Sequence, residues 1–228
     1  MVAVEVMGFS RLRDKAQEYL PPKKVAMVED AYDFAMKAHQ GQVRKSGEPY
    51  LEHPLQVALT LAELQLDATS LASALLHDVP ENCGIPVSEI KAKFGSEVAK
   101  LVDGVSKLGK LSWPGAGVVA GPSQAENLRK LLVAMAEDLR VVFIKLADRL
   151  HNMHTLAALP PERQHSIATE TLEIYTPLAH RLGIWELKWQ LEDLSFHYLE
   201  PEEYRRIANL IAASRTQRER FIAQIIQI

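Results

Sequence analysis

Imidazole and carboxylate side chains stand in this sequence at places where a fold could bring them to one point: His53, the adjacent pair His77 and Asp78, and Asp148. In order they read H…HD…D, and these are ligand types suited to manganese, iron or zinc. Four of them can hold a divalent ion while leaving positions open for water and substrate. A His-Asp pair alone is a weak signal, and a lone buried histidine is more often structural. The settings carry the weight. Asp148 lies in RVVFIKLADRLHNMHTL, residues 140–156, where Val141, Val142, Phe143, Ile144, Leu146, Ala147, Leu150, Met153 and Leu156 leave little polar surface around a helical wheel. An unpaired carboxylate there is costly or takes up a proton. Asp148 therefore needs either a metal ion or a fixed cation, Lys145 and Arg149 being the local alternatives for an ordinary salt bridge. Asn152 and Thr155 follow at four and seven residues, on the same helical face.

The elements that must position these groups all read as helices. Apolar residues recur at three and four, and no stretch alternates as a strand would, so the expected fold class is all-α. A first amphipathic helix spans roughly Lys24 to His39 and ends before Gly41. Residues 41–53, GQVRKSGEPYLEH, form a loop that carries Arg44, Lys45, Ser46 and Tyr50. These are phosphate-binding side chains, although a solvated turn would look the same. Pro54 suits the first turn of a helix reaching Leu64, which makes His53 its expected N-cap. The next helix, capped by Thr69 or Ser70, runs through LASALLHD to Val79 and Pro80 and holds His77 and Asp78 in its last turn. Short helices follow at Val87 to Phe94 and Ser96 to Asp103. The Gly/Pro-dense segment from Leu108 to Gly121, with Trp113, is a candidate lid. A helix from Ser123 carries Leu128, Leu131, Leu132 and Met135. Beyond Pro160 and Pro161, helices are expected over Glu162 to Arg181, Trp185 to Tyr198 and Glu202 to Ile228. The last of these ends without a capping residue, which reads as a chain continuing into a further domain.

Composition narrows the partners. The chain of 228 residues is 47% hydrophobic, enough to fill a sizeable core. A formal charge of -3 and a pI near 6.3 lack the basic footprint of a nucleic-acid binder, so no direct nucleic-acid contact is expected. A small phosphorylated anion suits the balance better. No apolar run reaches a membrane span and no signal-peptide core is present, which makes a cytoplasmic location the expectation. Cys83 is the only cysteine, which excludes an internal disulfide and a thiolate zinc cluster.

Longer segments carry a family likeness. GQVRKSGEPYLEHPLQVA, LLHDVPEN, VDGVSKLGK, AENLRKLLVAMAEDLRVVFIKLADRLHNMHTL and ETLEIYTPLAHRLGIWELKWQLEDLSFHYLEP resemble the N-terminal HD hydrolase domain of the long RelA/SpoT homologues, over about residues 24–205. The resemblance implies an all-helical, manganese (Mn2+)-dependent phosphohydrolase, with another divalent ion as an alternative. Such a domain removes pyrophosphate from the 3′ position of the alarmone (p)ppGpp, giving GDP or GTP, in the stringent response. It implies His53, His77, Asp78 and Asp148 as metal ligands, and Arg44, Lys45, Ser46, Asn152 and Thr155 as substrate contacts. It implies a hydrolase core over residues 1–160, a helical extension over 161–228, and synthetase and regulatory domains farther along a full-length chain.

One position departs from the family pattern. Active hydrolases of the family carry Glu-Asp after the His-Asp, whereas this chain has Glu81 and Asn82, preceded by Pro80 and followed by Cys83. A carboxamide accepts no proton. His154 stands where arginine is usual, and Pro86 where an N-cap threonine is usual. Two function classes follow: a hydrolase, slowed at Asn82 but working through Glu81, and a nucleotide-binding or regulatory module of a (p)ppGpp synthetase (GTP pyrophosphokinase) that has lost turnover.

Overall fold

Helices make up all the regular structure among the residues that the computed structural model describes, 2–109, 133 and 137–212. Extended pairing among them is one antiparallel bridge between Val43 and Pro49. The expected lid around Trp113, the helix from Ser123, and the end of the chain from residue 213 lie outside the described residues. The chain divides into two compact units, residues 1–163 and 164–228.

In the first unit the order is α1 (Val2–Gln17), α2 (Pro22–Ala38), α3 (Glu52–Glu63), α4 (Ala68–Leu76), the one-turn α5 (Val79–Asn82), α6 (Val87–Phe94), α7 (Ser96–Gly109) and α8 (Leu139–His154). The central element is α4. Its sequence ATSLASALL has no charged residue, every one of its residues is buried, and it packs against α2, α3, α7 and α8. A helix apolar on all sides is stable only when surrounded in this way.

Arg140 ties three helix starts together. Its guanidinium bonds Asp138 at 2.7 Å, the N-cap of α8, and Asp67 at 2.8 Å, the N-cap of α4, and it pairs with Glu97 in the first turn of α7 at 2.8 Å. Asp67 and Asp138 also cap their own helices by accepting from Ser70 N and Arg140 N. From this common origin, His77 and Asp148 each lie ten residues along. At about 1.5 Å of rise per residue both side chains arrive at the same level, roughly 15 Å from the tie. That registration brings two distant parts of the sequence to one site.

Asp67 provides a test of this tie. Burial acts to raise its pKa, but bonds from the Ser70 hydroxyl and amide and from Arg140 outweigh it and hold the carboxyl below its ordinary value. A depressed carboxylate contributes stability above the unfolded pKa and loses it as pH falls through the folded one. Asp67→Ala is expected to cost about 1 kcal/mol at neutral pH. In urea unfolding, the gap between variant and wild type should narrow as pH falls below the ordinary aspartate pKa of about 3.9.

Several boundaries differ from the sequence expectation. The N-cap of α4 is Asp67, not Thr69 or Ser70, because its side chain reaches Ser70 N at 2.8 Å. The helix ends at Leu76, with His77 as C-cap and Asp78 starting α5. Pro80 has no N–H to offer the Leu76 carbonyl, which forces the break. His53 is not an N-cap: α3 starts at Glu52, and the His53 ring is left to face the interior. Helix α7 continues through Gly104 to Gly109 instead of stopping at Asp103. A Cβ on Gly104 would lie 2.9 Å from Val141 Cγ2, so the glycine lets α7 approach α8 closely.

Helix α9 (Pro161–Glu170) starts at the end of the first unit; in the second it runs into a wide π turn, Thr171–Tyr175, and then α10 (Thr176–Arg181) and α11 (Trp185–Leu199). The expected continuous helix over 162–181 is thus interrupted. Pro177 cannot donate to the Glu173 carbonyl, and the wider turn absorbs the lost bond. Gly183 at φ 72 makes the left-handed step that turns α10 into α11. Residues 201–212 are helical.

Candidate metal centre

Three chain segments deliver the H…HD…D residues to one point. His53 comes from the first turn of α3, His77 and Asp78 from the junction of α4 and α5, and Asp148 from the middle of α8. His53, His77 and Asp148 are 2%, 4% and 5% exposed, and each offers a ligand atom within 4.8 Å of the others. Asp78 faces the same space, with Oδ1 3.2 Å from His77 Nε2 and Oδ2 3.7 Å from His53 Nε2.

Hydrogen bonds around His77 fix what it offers. Its Nδ1 lies 2.7 Å from the Ala74 carbonyl, an acceptor only, so Nδ1 carries the ring proton. Nε2 is then a bare lone pair, buried and without a hydrogen-bond partner. Asp78 Oδ1, 3.2 Å away, makes no hydrogen bond to that nitrogen, since a carboxylate has no proton to give. A buried, unsatisfied nitrogen lone pair facing two carboxylates fits a cation between them.

Asp148 has several partners. Lys145 Nζ meets Oδ2 at 2.6 Å and Asn152 Nδ2 meets Oδ1 at 2.7 Å, while His53 Nε2 is 3.3 Å from Oδ1. The local salt bridge and the convergence on histidine are therefore both present. Burial opposes the charge on Asp148, but the Lys145 ammonium and His53 hold its carboxyl well below the ordinary range. Burial likewise opposes the charge on Asp78, yet the neighbouring His77 and His53 keep that carboxyl low. Burial lowers the pKa of His53. The two carboxylates and His53 are thus each shifted toward the deprotonated form that a divalent ion requires.

The other candidates divide by position. Arg44 enters the site from the 41–51 loop and donates to Asn152 Oδ1 at 2.9 Å, so it joins Asp148 through that amide. Lys45 and Ser46 are exposed on the same loop, Ser46 bonding Glu48 at 3.2 Å. Thr155 bonds back to the His151 carbonyl at 3.2 Å at the end of α8. Glu81 is exposed on α5. Asn82, also exposed, donates to Tyr50 Oη at 2.7 Å, and the Tyr50 hydroxyl donates to Asp78 Oδ2 at 2.9 Å. Burial first, then Asp78, raises the Tyr50 pKa, so the phenol keeps its proton.

Sequence reasoning missed His151. It stands three residues past Asp148, the other helical neighbour spacing, and its Nδ1 lies 2.9 Å from His53 Nδ1 and 3.2 Å from Arg44 Nη1. Burial, reinforced by His53 and Arg44, lowers its pKa to about 3. Reading the face at i+3 as well as i+4 would have found it.

Residues 31–185 match the HD domain family. A Vibrio cholerae protein named guanosine-3′,5′-bis(diphosphate) 3′-pyrophosphohydrolase is 50% identical over 217 residues, 95% of this chain and 30% of the relative. An Escherichia coli protein named bifunctional (p)ppGpp synthase/hydrolase SpoT is 48% identical over 218 residues, 96% of this chain and 30% of the relative. The chain thus spans about 30% of the length of these relatives. A solved structure described as a metazoan ortholog of SpoT that hydrolyzes ppGpp shares the fold, with a TM-score of 0.51 and 23% identity over 75% of this chain and 94% of that one.

Proposed function

Since the chain belongs to the HD domain family, we propose that it is a (p)ppGpp 3′-pyrophosphohydrolase, with His53, His77, Asp78 and Asp148 holding one divalent ion, manganese. The observation that carries this reading is the buried lone pair of His77 Nε2, turned toward the point where His53 and Asp148 converge. The substrate class is taken from relatives about half identical to nearly the whole chain and named for that activity.

Bound at this point, the ion supplies Lewis acidity and a water of lowered pKa. The chain's own residues do the rest. Arg44 presents a guanidinium, suited to phosphate oxygens, at the mouth of the site, with Lys45 and Ser46 on the same loop. Asn152, held between Arg44 and Asp148, orients the nucleoside end together with Thr155. A water oxygen bonds to the 3′-linked phosphorus as the bond from phosphorus to the 3′ oxygen breaks. Pyrophosphate leaves, the 3′ oxygen takes a proton, and Glu81 accepts the proton of the attacking water. Asn82 cannot share that task, which makes turnover slow.

Asn82 also supports a second reading, a nucleotide-binding or regulatory module of a larger (p)ppGpp synthetase. In either case synthetase and regulatory domains belong to the same full-length protein, consistent with the 30% coverage of the relatives. Among the described residues no helix is long and apolar enough to cross a membrane. A cytoplasmic enzyme without membrane or nucleic-acid contacts completes the proposal. A nucleotide panel with manganese tests the substrate class: pyrophosphate release is expected from ppGpp and pppGpp, and not from ATP, GTP or deoxynucleotides. Equal release from the whole panel would refute it.

A further inference from the structure

We propose that His151 is a positioning residue that fixes the ring tautomer of His53 and so couples Arg44 in the substrate loop to the metal centre. The inference rests on reading His53 as a metal ligand and adds a residue to that site.

Proton bookkeeping gives the argument. A guanidinium has only donors, so the Arg44 Nη1 that lies 3.2 Å from His151 Nδ1 requires that nitrogen to be bare. His53 Nδ1 lies 2.9 Å from the same nitrogen and must therefore carry the hydrogen. A neutral imidazole has one ring proton. His53 Nε2 is then a lone pair, directed at Asp148 Oδ1 at 3.3 Å and Asp78 Oδ2 at 3.7 Å, the state in which it can bind an ion.

The opposite tautomer has its own support. With the proton on Nε2, His53 would donate to Asp148 Oδ1, and His53 Nδ1 would accept from a protonated His151 Nδ1. That arrangement points an N–H of His151 at the N–H groups of Arg44. The guanidinium excludes it, and thereby selects the metal-binding form of a ring it does not touch. The rings of His53 and His151 lie 4.8 Å apart at 60°, which suits an edge-directed bond between them. His53 lacks the backbone carbonyl that sets the tautomer of His77 at 2.7 Å; His151 takes that carbonyl's place. Such outer partners of ligating histidines typically change metal affinity 10- to 100-fold when removed.

The test uses metal-free protein with nitrogen-labelled histidine, and manganese alone as the probe. Long-range proton–nitrogen spectra of wild type should show His53 protonated on Nδ1. His151→Leu, which offers no acceptor, should move the proton to Nε2 and weaken manganese binding by about 10- to 100-fold. His151→Asn, whose amide oxygen can stand where Nδ1 stands, should bind within about threefold of wild type. Arg44→Ala should weaken binding in the wild-type background and add nothing further in His151→Leu, because the two act in series. A wild-type His53 protonated on Nε2 would overturn the proposal even if His151→Leu failed to fold. So would unchanged manganese affinity in a folded His151→Leu. His77→Ala separates the premises: if it leaves manganese binding intact, the metal centre itself is misread, whereas its loss beside an unaffected His151→Leu removes only the role of His151.

Discussion

Asp148→Ala is expected to leave the purified protein without its divalent ion and to reduce ppGpp hydrolysis on the order of 10³-fold or more, since Lewis-acid stabilisation by a bound metal is worth several kcal/mol. Asp148 is the carboxylate that α8 delivers into the group with His53 and His77, and it is held ionised there by Lys145 at 2.6 Å. Alanine also removes the bonds that Lys145 and Asn152 make to Asp148, 2.6 and 2.7 Å, and breaking a buried ion pair is itself destabilising. Asp148→Asn separates the two effects, because its amide keeps the volume and a hydrogen-bonding oxygen but binds a hard cation poorly. Elemental analysis should find one ion per wild-type chain and none in either variant. Equal occupancy in folded Asp148→Asn would contradict the ligand assignment.

Asn82→Asp is expected to raise ppGpp turnover ten-fold or more, about 1.4 kcal/mol off the barrier, with nucleotide affinity little changed. In the wild type the amide donates to Tyr50, which passes its own hydrogen to Asp78, so position 82 lies two hydrogen bonds from a proposed metal ligand. A carboxylate there can no longer donate to Tyr50. It is left as an acceptor beside Glu81, where a proton from the attacking water needs a destination. Steady-state rates of the two proteins decide it. Equal rates would mean that Asn82 serves only to orient the Tyr50 hydroxyl, and no activity in either would favour the regulatory module.

The all-α class and the H…HD…D frame were legible because both depend on local chemistry: apolar spacing for the helices, and ligand types at buried or helix-terminal positions. Convergence was not legible. It depends on Arg140 joining the starts of α4, α7 and α8, and that tie spans distant residues whose charges look like ordinary surface groups in the sequence. Boundaries failed where one residue had two meanings. Gly104 reads as a helix breaker but serves the close approach of α7 to Val141, and Pro80 reads as a stop but opens α5. His151 was within reach as the i+3 neighbour of Asp148, but the role proposed for it requires Arg44, 107 residues earlier, as a second donor to the same nitrogen. Likewise the bond from Asn82 to Tyr50 joins a helix to the loop 32 residues before it, and no periodicity announces it.

The central claim is metal-dependent removal of the 3′ pyrophosphate of ppGpp, and a timed assay of the purified protein with ppGpp, with manganese added or chelated, tests it most directly. Equimolar GDP and pyrophosphate, growing with time in manganese and absent with chelator, is the predicted result. Undiminished ppGpp after prolonged incubation with manganese, or release of orthophosphate in place of pyrophosphate, would contradict it.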